Sequence, residues 1–166
     1  MTSVNDSFIF IKLNRSFDNS GREYNGHDVI LMYSNDIQKR GYTWFSTKAL
    51  HKGMAETKVQ YYLRSIKQGR KVRILFALSK AAGGSNEISY QADVLDIQSY
   101  TIPTSIKTND YPSVWLGEKS NIWIKITNLV PENKFHAKQF RITSTKADLD
   151  FVIQTSQYHF GYVELK

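Results

Sequence analysis

The segment NIWIKITNLV, residues 121–130, alternates strictly at its centre. Ile122, Ile124 and Ile126 take every second position, with Trp123, Lys125 and Thr127 between them. Successive side chains of a strand point to opposite faces, so this pattern suits a strand with one apolar face and not the single stripe of a helix. Trp123, flanked by strand isoleucines, is expected in the core. The same tendency runs through the chain. SFIFIKLN (7–14), KVRILFALS (71–79) and ISYQADVLDIQSY (88–100) are apolar, β-rich runs, and KQFRITS and YHFGYVEL are further strand candidates. Between them, RSFDNSGREYNGHD reads as a loop and AAGGSNE as a hairpin-like turn. The short run VILMYS fits a strand or a helical turn. One helix stands out near Ala55–Gln68, where Val59, Tyr62, Leu63 and Ile66 recur at i, i+3, i+4 and i+7 and Gly69 is placed to end it. About six strands with one or two helices predict an α+β domain, a curved sheet or partly open β-barrel with flanking helices.

The 166 residues suit a single domain spanning 1–166, and no repeat, low-complexity tract or linker divides them. No apolar run reaches 18 residues, so no membrane partner is expected. The opening MTSVNDSF has neither a charged n-region nor an apolar stretch, and no signal peptide is expected. Cysteine is absent, which removes disulfides, thiolate zinc sites and cysteine nucleophiles together, and fits a cytoplasmic location. Lysine and arginine total 22 against 15 acids, a net charge of +7. Such an excess points to a polyanion, with nucleic acid the expected partner. Lys12, Arg15, Lys39, Arg40, Lys48, Lys52, Lys134, Lys138, Arg141 and Lys146 lie in or beside the expected loops and strand ends. Cations there can neutralise phosphates and make binding fall steeply with salt; each taken alone reads more readily as ordinary solvated surface.

Trp44, in GYTWFST, and Trp115, in NDYPSVWLGEKS, lie in turn-like contexts. Each is either a stacking wall for a nucleobase or a ring plugging the end of a barrel. Signals for catalysis are weak. His27, His51, His136 and His159 have no H-x-x-x-H spacing, and no metal is expected. No phosphate-binding or dinucleotide glycine motif occurs, and no cofactor is expected. Asp150 with Glu164 and Lys166 loosely matches the Asp…Glu-x-Lys pattern of metal-dependent nucleases, which supplies a rival enzymatic reading. A third reading is a protein-interaction module with core tryptophans.

Several segments in order resemble one family, the YTH domain, a reader of N6-methyladenine within the PUA-like/EVE superfamily. FIFIKLN resembles its opening strand, TWFST its W-x-[ST]-T segment, and KVRILFALS its V-x-L-x-F-S-V strand. ISYQADVLDI takes the place of its G-x-A-x-M strand, and YPSVWLGEKSNIWIKITNLVPENKF is similar to its second tryptophan segment. The resemblance runs from about Phe8 to Phe135. It implies a YTH-like or PUA-like fold and a non-catalytic module that takes a modified base, flipped or unpaired, into an aromatic cage. Trp44 and Trp115 would face each other across one open pocket, with a third wall from Tyr42, Tyr111 or Leu116. Asn14 and Ser46 would read the base edge, and Lys12, Arg15, Lys39, Arg40 and Lys48 would bind phosphate. The family's S-R-D-G-x-E segment is replaced by ITSTKADLD, which leaves Arg141 or Lys146 to substitute for its basic residue. The implied partner is methylated DNA or RNA. Relatives often serve as the targeting modules of modification-dependent restriction systems, and a chain ending at YVELK fits an excised module of that kind, with other domains or subunits of a restriction complex as further partners.

Overall fold

A computed structural model describes residues 6–166. The reading of the first residues as lacking a leader therefore lies largely outside the described part.

The first strand, β1 (Ser7–Leu13), is a near-continuous apolar run because it is buried from both sides. It is followed by a small hairpin, β2 (Ser16–Phe17) with β3 (Glu23–Tyr24), inside the segment expected to be a plain loop. The Asp18 carboxylate organises its turn. It accepts from the Ser20 N–H at 2.9 Å, the Ser20 hydroxyl at 2.6 Å, the Arg22 N–H at 3.0 Å and the Tyr24 hydroxyl at 2.9 Å. These bonds, that of the Ser20 side chain foremost, pull its pKa down to about 2.

The ambiguous VILMYS run lies inside a 15-residue helix, α1 (Gly26–Arg40). Asn25 caps it by accepting from the Asp28 N–H at 2.8 Å. Gly41, at φ 88°, closes it with an N–H bond to the Ile37 carbonyl at 2.7 Å, a left-handed position that costs glycine least. Its buried face is Val29, Ile30, Tyr33 and Asp36. β4 (Thr43–Thr47) and the expected helix α2 (Glu56–Lys67) follow. In α2, Val59 and Tyr62 are buried and Leu63 and Ile66 pack against the core. Then come β5 (Val72–Leu78), the long β6 (Ile88–Thr104), β7 (Ser120–Pro131), β8 (Phe140–Ile142), a short α3 (Leu149–Thr155) and β9 (Phe160–Leu165).

Seven strands form one sheet in the order β4-β7-β6-β5-β1-β9-β8. β1 and β5 run parallel with Ile9 opposite Ile74 and Ile11 opposite Phe76, and the other neighbours are antiparallel. β4 and β8 do not pair with each other, so the fold is α+β with a curved, unclosed sheet rather than a barrel. One face, carrying Ile9, Ile11, Ile74 and Phe76, packs under α1 and α2. The other, carrying Phe8, Phe10, Leu75 and Ala77, packs under α3 with Leu149 and Ile153.

All three tryptophans are largely buried: Trp123 is 0%, Trp44 6% and Trp115 6% exposed. Trp44 sits opposite Lys125 and Phe45 opposite Ile124, so the two rings leave β4 on opposite faces. The edge of β4 is closed by the 105–119 segment, whose Asp110 carbonyl accepts the Trp44 N–H at 3.0 Å. The same segment packs Tyr111 on Trp123 at 5.2 Å between ring centres, and Trp123 Nε1 donates to the Thr104 carbonyl at 2.9 Å. Trp44→Ala and Trp123→Ala should each lose about 3–5 kcal/mol of stability, read from the urea midpoint; an unchanged midpoint for Trp44→Ala would place that ring outside the core.

Candidate nucleic-acid interface

Where β1 ends, the chain turns outward into the β2–β3 hairpin, and a half-open cavity of about 410 Å³ lies beneath it. The volume is in the range of small-molecule sites. Its aromatic wall is Tyr33 from α1, Phe45 from β4 and Trp115 from the 113–115 turn, with Phe17 from the hairpin. Tyr33 stacks on Trp115 at 5.3 Å and 27°, and tilts against Phe45 at 5.3 Å. Trp115 Nε1 donates to the Phe17 carbonyl at 3.2 Å, which ties turn and hairpin together. Phe17 itself is 56% exposed, an open aromatic face on a braced turn. The Tyr33 hydroxyl is pushed far up its range, by burial first, and hydrogen-bonds at Ser46, so it stays neutral.

The polar side of the cavity comes from the end of β1. In the alternation of β1, Lys12 follows Phe8 and Phe10 on the α3 face, and it lies opposite the small Ala77. The Lys12 residue is 8% exposed, yet its ammonium has no hydrogen-bond or ion-pair partner among the described residues. No fully buried side-chain nitrogen or oxygen is left unbonded there, so the ammonium must open to accessible space. Burial lowers its pKa. Asn14 follows, its Nδ2 3.4 Å from His159 Nδ1, while His159 Nε2 lies 3.1 Å from Gln157 Oε1. With Nε2–H donating to Gln157, Nδ1 is the acceptor for Asn14, and the amide is held from behind.

Of the residues expected from sequence to form a cage, only Trp115 lines this cavity. Trp44 is a correction: it points away from Phe45 into the core. Tyr42 is held elsewhere, its hydroxyl donating to Asp110 at 2.8 Å and its ring lying under the Lys125 ammonium at 4.2 Å. Tyr111 is buried against Trp123, and its hydroxyl accepts from the Gly117 N–H at 3.0 Å. Leu116 is exposed, and its carbonyl is bound by Asn19 at 2.8 Å. Asn14 and Ser46, the two expected base-edge residues, both line the cavity.

The expected phosphate binders divide in the same way. Lys12, Arg15 and Lys48 line the cavity; Arg15 also pairs with Glu23 at 3.0 Å and Lys48 with Glu118 at 3.4 Å. Lys39 and Arg40 do not line it. Arg40 is bound by Asp36 at 2.7 Å and Asp110 at 2.8 Å, and Thr43 donates to the same Asp36 at 2.6 Å, a network that fastens α1 to β4. Arg141 and Lys146 both pair with Glu164, at 2.8 and 3.0 Å. Glu164 and Lys166 of the nuclease reading are engaged in pairs of this kind. Glu164 is neutralised by its neighbours, Lys166 is turned to Asp148 at 2.6 Å, and among the described residues no acidic or histidine cluster could hold a metal. Phe17, Tyr33, Phe45 and His159 had no signal in motif or spacing. They meet only because the hairpin, α1, β4 and β9 converge at one end of β1.

No family model matches the sequence, and comparison with curated proteins returned no match. Among solved structures, the chain is similar to the YTH domain of Pho92 in complex with m6A, at 12% identity and a TM-score of 0.40, over 96% of this chain and 78% of that one. It is also similar to the YTH domain of the Zygosaccharomyces rouxii MRB1 protein in complex with N6-methyladenosine RNA, at 12% identity and a TM-score of 0.40, over 99% and 80% of the two chains. A likeness at this level assigns no residue a role.

His159 gives the cavity a pH signature. Its pKa is lowered, by burial first and then by the Lys12 charge. The unfolded chain then takes up the proton more readily than the folded one, so stability is intact above about pH 6.5 and declines as pH falls through the imidazole range. The urea midpoint should drop from pH 7.5 to 5.5 in the wild type and drop less in His159→Gln. Equal losses in the two proteins would contradict a depressed His159.

Proposed function

We propose that the chain is a non-catalytic reader of a modified base in nucleic acid, with N6-methyladenine the first choice. What carries the reading is a cavity walled by aromatic rings and lined at the end of β1 by Asn14 and by Lys12, whose ammonium has no partner among the described residues. An aromatic wall favours a planar ring, an amide matches the donors and acceptors of a base edge, and a desolvated ammonium attracts a phosphate. With Nδ2 of Asn14 turned to His159, its oxygen remains to accept a base N–H, such as that on the exocyclic nitrogen of N6-methyladenine. The base enters unpaired or extruded, at a cost of a few kcal/mol that is least for a single strand. A buried methyl adds about 1 kcal/mol, so stacking and phosphate contacts carry most of the affinity. The reading makes no use of Trp44, which does not line the cavity. Use as the targeting module of a modification-dependent restriction system belongs to the same proposal and rests on the sequence resemblance alone.

The test is a titration of methylated and unmethylated oligonucleotides, single- and double-stranded, against wild type and three variants. Phe17→Ala should lose about 1–3 kcal/mol of binding with little change in stability, since the ring is exposed. Lys12→Met should weaken binding of all sequences and flatten the salt dependence by about one unit of log–log slope. Trp44→Ala, destabilised but still folded at the temperature of the titration, should bind as the wild type does. Equal affinity of methylated and unmethylated strands, or normal binding by both Phe17→Ala and Lys12→Met, would refute the assignment.

A further inference from the structure

A second groove, of about 420 Å³, opens on the far side of Lys12. It shares Lys12 and Asn14 with the aromatic cavity and continues along Ser79, Gln154, Ser156 and Gln157. Its character is different. Hydroxyls and amides make up most of its wall, no aromatic ring or carboxylate lines it, and Lys12 is its only charged lining residue among those described. The two chambers therefore meet at a single buried cation. The partition between them is also bonded through, because Gln157 on the groove side holds His159, and His159 holds Asn14.

A ligand matching both chambers carries a flat ring at one end, an anion in the middle and hydrogen-bonding groups at the other end. A nucleic-acid strand has this sequence of groups at every step: base, phosphodiester, then the next sugar and base edge. Glutamine and asparagine amides offer a donor and an acceptor side by side, which suits a base edge, and serine hydroxyls suit sugar and phosphate oxygens. We propose that this groove holds the nucleotide next to the inserted base, with Lys12 neutralising the phosphodiester that joins them. The proposal rests on the base-reading assignment of the aromatic cavity and extends it. The protein then binds a dinucleotide step rather than a lone base, and the identity of the neighbour is sensed through amides on the α3 side.

Gln154 is the position to test. It is exposed near the end of α3, and its side chain makes no hydrogen bond within the described structure. Gln154→Glu places a negative charge on the groove wall without touching the core. Two probes separate the chambers: N6-methyladenosine as the free nucleoside, and a single-stranded pentanucleotide with N6-methyladenosine at its centre. Wild type should bind the pentanucleotide more tightly than the nucleoside. Gln154→Glu should weaken the pentanucleotide by about fivefold and leave nucleoside binding and the melting temperature unchanged. A pentanucleotide bound no more tightly than the nucleoside, or unaffected by Gln154→Glu, overturns the groove assignment; so does an equal loss on both probes. Failure of the nucleoside to compete with the pentanucleotide for wild type overturns the base-reading assignment instead, and Gln154→Glu on the pentanucleotide still decides the groove.

Discussion

The structure depends on β1 being buried on both faces and paired on both edges. Its partners β5 and β9 fix its register, and its side chains alternate between the layer under α1 and α2 and the layer under α3. Within such a strand a lysine is costly, and Lys12 stands next to the end of the ladder, opposite the small Ala77. It continues the line of Phe8 and Phe10, and it lines both chambers. The site is a consequence of that ending. Past Lys12 the chain leaves the sheet, Asn14 meets His159 from β9's approach, and the β2–β3 hairpin folds over the gap. His159 is held in turn by tight packing behind it: Tyr158 stacks on Phe10 at 6.0 Å and lies so close to Gly161 that a Cβ there would fall 1.6 Å from its hydroxyl.

What the sequence made legible was whatever periodicity alone decides. The alternation of Ile122, Ile124 and Ile126, the apolar runs of β1 and β5 and the stripe of α2 became elements close to the expected boundaries. The failures have separate causes. The centre of α1 is an unbroken apolar run from Val29 to Tyr33, apart from position, indistinguishable from a buried strand, and its cap at Asn25 lay within a stretch whose Asn and Gly content suggested loop. The β2–β3 hairpin is set by one side chain, Asp18, reaching four donors, and no local pattern encodes that. α3 spans only seven residues, too short to display a stripe.

The tryptophans show why residue type is a poor guide to accessibility. Trp44 and Trp115 stand in segments of the composition expected for an open site, and both are buried, because the 105–119 segment folds back along the β4 edge and brings its own apolar residues, Ile106, Tyr111 and Trp115, with it. An edge strand left bare is a liability, and covering it serves the fold before it serves any ligand. Trp115 then contributes to the cavity through its partners: it fixes Tyr33 on one face and Phe17 through its indole N–H. The residue that meets solvent is Phe17, which lay in the least patterned stretch of the chain.

Net charge overstates the surface free to meet a polyanion. Of the seven cations expected to bind phosphate, Arg15, Arg40, Lys48, Arg141 and Lys146 are each paired with a carboxylate, and only Lys12 and Lys39 have no partner among the described residues. A paired cation must give up an existing contact before it takes a phosphate, so its contribution is a difference between two similar interactions. Lys12 gives up none. It is also desolvated before any ligand arrives, so a phosphate beside it relieves a penalty the folded chain already carries. Counterion release should therefore be dominated by a small number of sites around the end of β1, and the salt dependence should be shallower than +7 suggests. On the proposed reading, discrimination comes from the shape of one junction, not from a broad basic face.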